Sequence, residues 1–138
     1  MKPRIALIVE DDPDTGELLE ILLGTAGLVP FLVETGGNAL SLMTASVPDL
    51  VVLDLDLPDV SGGDVLRAIR TNPRSAEIPV IVTTGYSRMA QRVIDSREAD
   101  LVMVKPVACD VLKRKVIELV GRDDDRKQGC VPGLPQAN

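Results

Sequence analysis

Five polar residues in this sequence have the types and the spacing that phosphoryl transfer requires. Glu10 and Asp11 follow one short apolar run, Asp54 ends another, and Thr84 and Lys105 lie at the ends of two more. Carboxylates that lie close together repel each other, and a hard divalent cation such as Mg²⁺ is the usual compensation. A lysine supplies a point charge for a phosphate oxygen, and a threonine supplies a hydroxyl donor. Together these groups form a phosphoryl-transfer site, in which a carboxylate can itself accept the phosphoryl group.

Short strands that alternate with amphipathic helices must position these residues. The predicted strands are residues 5–9, 28–33, 50–54, 80–84 and 101–104, and apolar residues at helical spacing follow each of them. Regular β-α alternation predicts an α/β fold with an open, doubly wound parallel sheet and helices on both faces. Asp12 and Pro13 predict the N-cap and the first residue of the first helix, which we expect to end near Gly27. Pro30 predicts that the second strand lies at an edge of the sheet.

The carboxyl ends of parallel strands meet at one edge of a sheet, and ligands bind there. Four of the five predicted strands end in one of the polar residues named above, so we expect these residues to lie together. The second strand ends in Glu34 and Thr35, which we interpret as peripheral. Thr83 carries the same hydroxyl as Thr84, and strand alternation places the two side chains on opposite faces of the sheet.

Composition excludes several classes of function. The 138 residues suit one domain, predicted over residues 1–121, and residues 122–138 form an acidic, Pro- and Gly-containing tail that we expect to be disordered. The chain has no histidine, which excludes His-based catalytic triads. Its net charge of -6 and its two aromatic residues argue against direct nucleic-acid binding. Because no apolar run approaches the length of a membrane span, we expect a cytoplasmic protein.

From about Arg4 to about Gly121, the sequence resembles the receiver domains of bacterial response regulators, which act in two-component signal transduction. Any one of the motifs that carry this resemblance is weak, but their order and spacing together are specific. They are Ile8 to Asp12 (IVEDD), Pro48 to Pro58 (PDLVVLDLDLP), Ser61-Gly62, Ile78 to Thr84 (IPVIVTT) and Val104-Lys105-Pro106. The resemblance implies a flavodoxin-like sheet with strand order 2-1-3-4-5 and five helices.

The resemblance also implies roles for the residues at the predicted edge. Asp54 would be the phosphoacceptor. Mg²⁺, or Mn²⁺, would be bound by Asp54 itself, by Asp11 directly, by Glu10 through water and by Asp56 through its backbone carbonyl. The family pattern favours Thr84 over Thr83 as the residue that binds the phosphoryl group.

Lys105 would bind a phosphoryl oxygen, and the Lys105-Pro106 peptide bond would be cis. The phosphodonor would be a sensor histidine kinase or a histidine phosphotransfer protein. The output would be contact with another protein, since the sequence leaves no room for a DNA-binding or enzymatic output domain. The chain would assist its own phosphorylation and slow dephosphorylation without being an enzyme in the ordinary sense.

Three positions depart from the family pattern. Val102 stands where many receivers have an aromatic residue that turns inward on activation, so the output mechanism is open. Gly85 replaces the alanine that commonly follows the switch threonine, which leaves more room beside the site. The turn before the fifth strand is Glu98 to Asp100, one residue short of the usual length in the family.

The resemblance also implies that Tyr86 and Asp56 flank the approach to the phosphoryl group.

Two alternative functions remain at this point. A receiver fold could be kept only for its surface, as an interaction module that is never phosphorylated. The pair Asp54 and Asp56 is also typical of haloacid-dehalogenase-type phosphatases. In those enzymes, however, the pair closes the first strand and a cap domain is expected, whereas here it closes the third strand and no cap-sized insertion exists.

Overall fold

The computed structural model describes residues 3–127. The strands are β1 (Ile5–Val9), β2 (Val29–Val33), β3 (Leu50–Asp54), β4 (Val80–Thr84) and β5 (Leu101–Val104). The helices are α1 (Pro13–Thr25), α2 (Gly36–Ala45), α3 (Gly62–Thr71), α4 (Ser87–Ser96) and α5 (Cys109–Lys127). The predicted alternation of strands and helices is therefore confirmed, and β2 begins one residue later than the sequence predicts.

All neighbouring strands pair in parallel, in the order β2-β1-β3-β4-β5. The central strands β3 and β4 are buried at every residue, as expected for apolar runs covered by helices on both faces. The prediction that β2 lies at an edge is also confirmed. Val29 donates its backbone N–H to the carbonyl of Arg4, so the N–H of the next residue would point away from β1. Pro30 occupies that position, where it removes a donor from the open edge.

Helix capping explains where α1 and α2 begin. The Asp12 carboxylate accepts the N–H of Thr15, and Pro13 occupies the first helical position, as predicted. Thr35 caps α2 in the same way through the N–H of Asn38. The first helix ends at Thr25, and Gly27 takes a φ of +93° that favours glycine. The predicted end near Gly27 is thus correct to within two residues.

Two apolar clusters hold the helices to the two faces of the sheet. One cluster joins Leu7, Val51 and Val82 to residues of α2, α3 and α4. The other joins Ile8 and Ile81 to residues of α1 and α5. Val, Leu and Ile make up most of both clusters.

The final helix continues past the predicted domain boundary. We expected the ordered domain to end at Gly121, but α5 runs to Lys127. Residues 128–138 of the predicted tail lie outside the described residues. Among residues 3–127, each helix is too short or too polar to cross a bilayer.

Arg70 on α3 closes the short turn that precedes β5. Its side chain, which is 17% exposed, donates to the backbone carbonyls of Glu98, Ala76 and Ile78. It also pairs with the Asp100 carboxylate at 3.0 Å, and that carboxylate in turn accepts the backbone N–H of Val80 at 2.8 Å. Arg70 therefore holds both the start of β4 and the turn before β5, which is one residue shorter than the family pattern.

We expect Arg70→Met to lower the free energy of unfolding by about 2–4 kcal/mol, because it leaves several half-buried acceptors without a donor. Arg67→Met is the matched control, since Arg67 lies on the same helix with an exposed side chain. Urea denaturation of both variants measures the difference. Equal midpoints for the two variants would show that the Arg70 contacts add nothing to stability.

Gly62 brings α3 against the end of β3. A Cβ atom at this position would lie 2.4 Å from the Leu55 Cα and 2.8 Å from the Asp54 carbonyl oxygen. A Cβ atom at Gly63 would meet nothing closer than the Ser61 hydroxyl oxygen, at 3.5 Å. The backbone that carries Asp54 can pass under α3 only because Gly62 has no side chain.

Gly62→Ala should therefore destabilise the fold by about 1–3 kcal/mol through overpacking. Gly63→Ala should leave stability unchanged or raise it by up to about 1 kcal/mol, through the higher helix propensity of alanine. Thermal and urea unfolding of the pair measure the effect. A Gly62→Ala protein as stable as the Gly63→Ala protein would disprove the steric argument.

Candidate functional site

Strand register brings the predicted residues to one edge of the sheet. Val9 pairs with Leu53, so Glu10 and Asp54 follow neighbouring positions on β1 and β3. Thr84 pairs with Val104 at the ends of β4 and β5, and the backbone N–H of Lys105 donates to the Thr84 carbonyl at 2.8 Å. The predicted meeting of these residues is found in the structure.

Lys105 lies between two buried carboxylates. Its Nζ is 3.0 Å from Glu10 Oε1 and 3.2 Å from Asp54 Oδ2. Glu10 and Asp54 are each 2% exposed, whereas the Lys105 side chain is 27% exposed. The partly exposed Lys105 side chain thus extends its ammonium group to two carboxylates that are almost completely buried. The Lys105-Pro106 bond is cis, as the family resemblance implies.

Three carboxylates form an acidic cluster at the same edge. Oxygens of Glu10, Asp11 and Asp54 all lie within 4.8 Å of one another. Asp11 is exposed and the other two are buried, so the cluster opens to solvent on the Asp11 side. Three carboxylates at this spacing suit a hard divalent cation, which prefers oxygen ligands.

Burial and neighbouring charges shift the pKa values of both Glu10 and Lys105. The pKa of Glu10 is raised from 4.5 to about 7, mainly by burial and then by the neighbouring Asp54 carboxyl, against the opposing effect of Lys105. Burial lowers the pKa of Lys105, but its hydrogen bond to Glu10 and the charges of Asp54 and Glu10 together raise it above the ordinary value. Lys105 is therefore positively charged at neutral pH.

Asp56 connects the acceptor to the turn between β4 and α4. Its backbone N–H donates to Asp54 Oδ1 at 3.0 Å. Its side chain accepts the Thr84 hydroxyl at 3.1 Å and the Gly85 N–H at 2.9 Å. The family resemblance implied metal binding by the Asp56 backbone carbonyl and a position beside the approach to the phosphoryl group, but it did not predict this bonding of the Asp56 carboxylate. Only the placement of Asp56 two residues after Asp54 hinted at it.

Thr84 is fully buried, and its hydroxyl accepts the backbone N–H of Tyr86 at 3.2 Å.

The residues that depart from the family pattern lie around Thr84. Gly85 and Tyr86 are exposed, and Tyr86 is 63% exposed. Val102 packs half-buried against the cluster on the α2, α3 and α4 face. An aromatic switch is thus absent from the place where the resemblance would put it.

Comparison with known proteins agrees with this geometry. The family model of the response regulator receiver domain matches residues 6–117. The chain is 37% identical over 117 residues to the transcriptional regulatory protein CusR of Escherichia coli. This match covers 84% of the chain and 51% of CusR. The chain spans about half the length of CusR and of the other curated transcriptional regulators that it matches.

Two solved structures share the fold. The receiver domain of a LuxO-type repressor protein from Vibrio parahaemolyticus is 32% identical with a TM-score of 0.81, covering 95% of this chain and 99% of that domain. Response regulator TrrA of Thermotoga maritima, in complex with Mg²⁺ and a beryllium fluoride group, is 34% identical with a TM-score of 0.74, covering 84% of this chain and 98% of TrrA.

The fold and the acidic edge are those of a signalling receiver domain. The chain belongs to the response-regulator receiver domain family of two-component systems. The flavodoxin-like sheet order implied by the resemblance is confirmed.

Without divalent metal, the stability of the domain should depend on Glu10 near neutral pH. Between the unfolded value of 4.5 and the folded value of about 7, the folded protein binds more protons at Glu10 than the unfolded chain does. The stability that Glu10 contributes is therefore present at low pH and is lost as pH rises through this window. Urea unfolding from pH 5 to pH 8 in EDTA should show this loss in the wild type and a flatter profile in Glu10→Gln. Parallel profiles would contradict the assignment.

Proposed function

We propose that this domain accepts a phosphoryl group on Asp54 from a phosphohistidine of a sensor histidine kinase or histidine phosphotransfer protein. The observation that carries the proposal is the position of Lys105 Nζ, 3.2 Å from Asp54 Oδ2 and 3.0 Å from Glu10 Oε1, beside an acidic cluster. A buried acceptor with an adjacent fixed cation is suited to a reaction that brings a phosphate dianion against a carboxylate.

The donor set of the edge fits a divalent cation. Glu10, Asp11 and Asp54 offer carboxylate oxygens within 4.8 Å of one another, and Asp56 would add its backbone carbonyl. These are the hard oxygen ligands that Mg²⁺ takes, and Mn²⁺ accepts the same set. The bound ion would supply positive charge that offsets the negative charge of the transferring group. TrrA, which shares the fold, binds Mg²⁺ with a beryllium fluoride group.

In the proposed step, a carboxylate oxygen of Asp54 attacks the phosphorus of phosphohistidine. The P–N bond of the donor breaks as the new P–O bond forms, and the electron pair of the broken bond stays on the imidazole nitrogen. Lys105 binds a phosphoryl oxygen and holds its own proton throughout, since its pKa lies above the ordinary value. The product is an acyl phosphate, whose slow hydrolysis returns Asp54 to its free form.

We further propose that the phosphorylated domain signals by contact with another protein and works in the cytoplasm. Curated relatives such as the master regulator RpaA of Synechocystis are DNA-binding proteins, and the chain spans about half of their length. Direct binding of nucleic acid is favoured by an excess of positive charge, whereas this chain carries a net charge of -6.

Two observations favour a second function, that of an interaction module which is never phosphorylated. Val102 replaces the usual aromatic switch, and the Thr84 hydroxyl is already bonded to Asp56. This alternative retains the fold and removes the reaction. The intact acidic cluster and Lys105 argue against it, because buried charges of this kind are costly for a protein to keep without use.

Incubation with acetyl phosphate and Mg²⁺ should add one phosphoryl group to the wild-type chain. The adduct should be absent in EDTA and in Asp54→Asn, because the metal charge and the nucleophile are then missing. Intact mass spectrometry measures it, and Asp95→Asn, which changes an exposed carboxylate on α4, is the matched control. A folded wild-type chain that takes no phosphoryl group with Mg²⁺ would favour the interaction module.

A further inference from the structure

One carboxylate holds both donors at the start of the turn between β4 and α4. Asp56 Oδ1 accepts the Thr84 hydroxyl at 3.1 Å, and Asp56 Oδ2 accepts the Gly85 N–H at 2.9 Å. Thr84 is fully buried, and its oxygen takes the N–H of Tyr86. Three consecutive residues of the turn are thus tied, directly or through Thr84, to Asp56.

In these bonds, the Thr84 hydroxyl and the Gly85 N–H both donate to Asp56. A threonine hydroxyl carries one proton and a backbone amide carries one proton. While Asp56 accepts both, neither Thr84 nor Gly85 can donate fully to a group on Asp54. A phosphoryl group on Asp54 adds strong acceptor oxygens to the same edge, and it can recruit these donors only by drawing them away from Asp56.

We propose that Asp56 is a positioning residue that holds the Thr84 hydroxyl and the Gly85 N–H in an arrangement that excludes them from the phosphoryl group. This inference rests on the proposed function of Asp54. The phosphoryl group and the Asp56 carboxylate compete for one pair of donors. The conformation of the β4–α4 turn depends on which of the two accepts these hydrogen bonds. The free domain is held in one state by hydrogen bonds rather than by an aromatic side chain at position 102.

Charge gives the competition its direction. Asp56 lies two residues after Asp54, and its backbone N–H donates to Asp54 Oδ1 at 3.0 Å, so a phosphoryl group on Asp54 would form beside Asp56. A phosphoryl group carries a charge of about -1.5 to -2 at neutral pH and repels a neighbouring carboxylate. Phosphorylation therefore weakens the hold of Asp56 at the same time as it offers Thr84 and Gly85 new acceptors.

The residue type at position 56 matches this role. A carboxylate presents two acceptor oxygens, one for each donor. Asparagine keeps one acceptor and places an NH₂ group where the Gly85 N–H must be accepted, and alanine removes both acceptors. The series Asp, Asn and Ala at position 56 should therefore release the turn in two steps.

The first readout needs no phosphorylation. In the metal-free domain, hydrogen exchange of the Gly85 amide, followed by NMR, should be about tenfold faster in Asp56→Ala than in wild type, with Asp56→Asn between them. Asp64→Asn removes an exposed carboxylate on α3 and should leave this exchange unchanged. The same Gly85 exchange in Asp56→Ala as in wild type overturns the proposal.

The second readout measures the competition itself. With Mg²⁺, beryllium fluoride should bind Asp56→Ala about tenfold more tightly than wild type, because the donors no longer have to be released. The NMR signals of Gly85 and Tyr86 in free Asp56→Ala should also lie closer to those of the phosphorylated wild type. Unchanged affinity and unchanged signals overturn the proposal.

The two proposals fail in different ways. Absence of an acetyl phosphate adduct on the wild-type domain overturns the proposed function, and with it the competition at Asp56. An adduct on the wild type, combined with identical turn signals in all three residue-56 proteins, overturns the role of Asp56 alone and leaves the acceptor role of Asp54 intact.

Discussion

The ion pair between Lys105 and the two buried acids is the interaction on which the site depends. Residues 5–66 contain no lysine or arginine, yet they supply Glu10 and Asp54. Two carboxylates that are 2% exposed cannot both be charged at low cost without a nearby cation. That cation comes from the end of β5, so the charges are compensated only when the sheet has assembled out to its fifth strand. Asp11, on the open side, leaves the same acids accessible to a metal ion.

The sequence predicted the sheet and its acidic edge because both rest on simple patterns. Central parallel strands are covered on both faces, so β1, β3 and β4 appear as unbroken apolar runs. The residue at the end of each run must then lie at the common edge. This reasoning placed Glu10, Asp54 and Lys105 together across separations of 51 and 95 residues. Pro30 identified the edge strand for an equally local reason, the missing N–H.

The contacts that the sequence did not reveal are those that depend on side-chain direction. Nothing local to Asp56 indicates that its carboxylate reaches Thr84, 28 residues away. Arg70 likewise contacts four partners in two separate segments, and no periodicity marks it among the six arginines between residues 67 and 97. The end of α5 was missed because aspartates are weak helix formers, so the run at 123–125 resembles a tail more than a helix.

A domain without an aromatic switch still needs a path from Asp54 to its surface, and the start of α4 provides one. The N-cap residue of α4 is Tyr86, whose side chain makes no capping hydrogen bond. The helix start is instead tied down through the Tyr86 N–H, which donates to the Thr84 hydroxyl oxygen. If Thr84 turns from Asp56 toward a phosphoryl group, this tie must change with it. Because no side chain caps α4, its first turn depends on this bond more than a capped helix start would. The Tyr86 side chain, which is 63% exposed, would carry the movement to the surface of the domain.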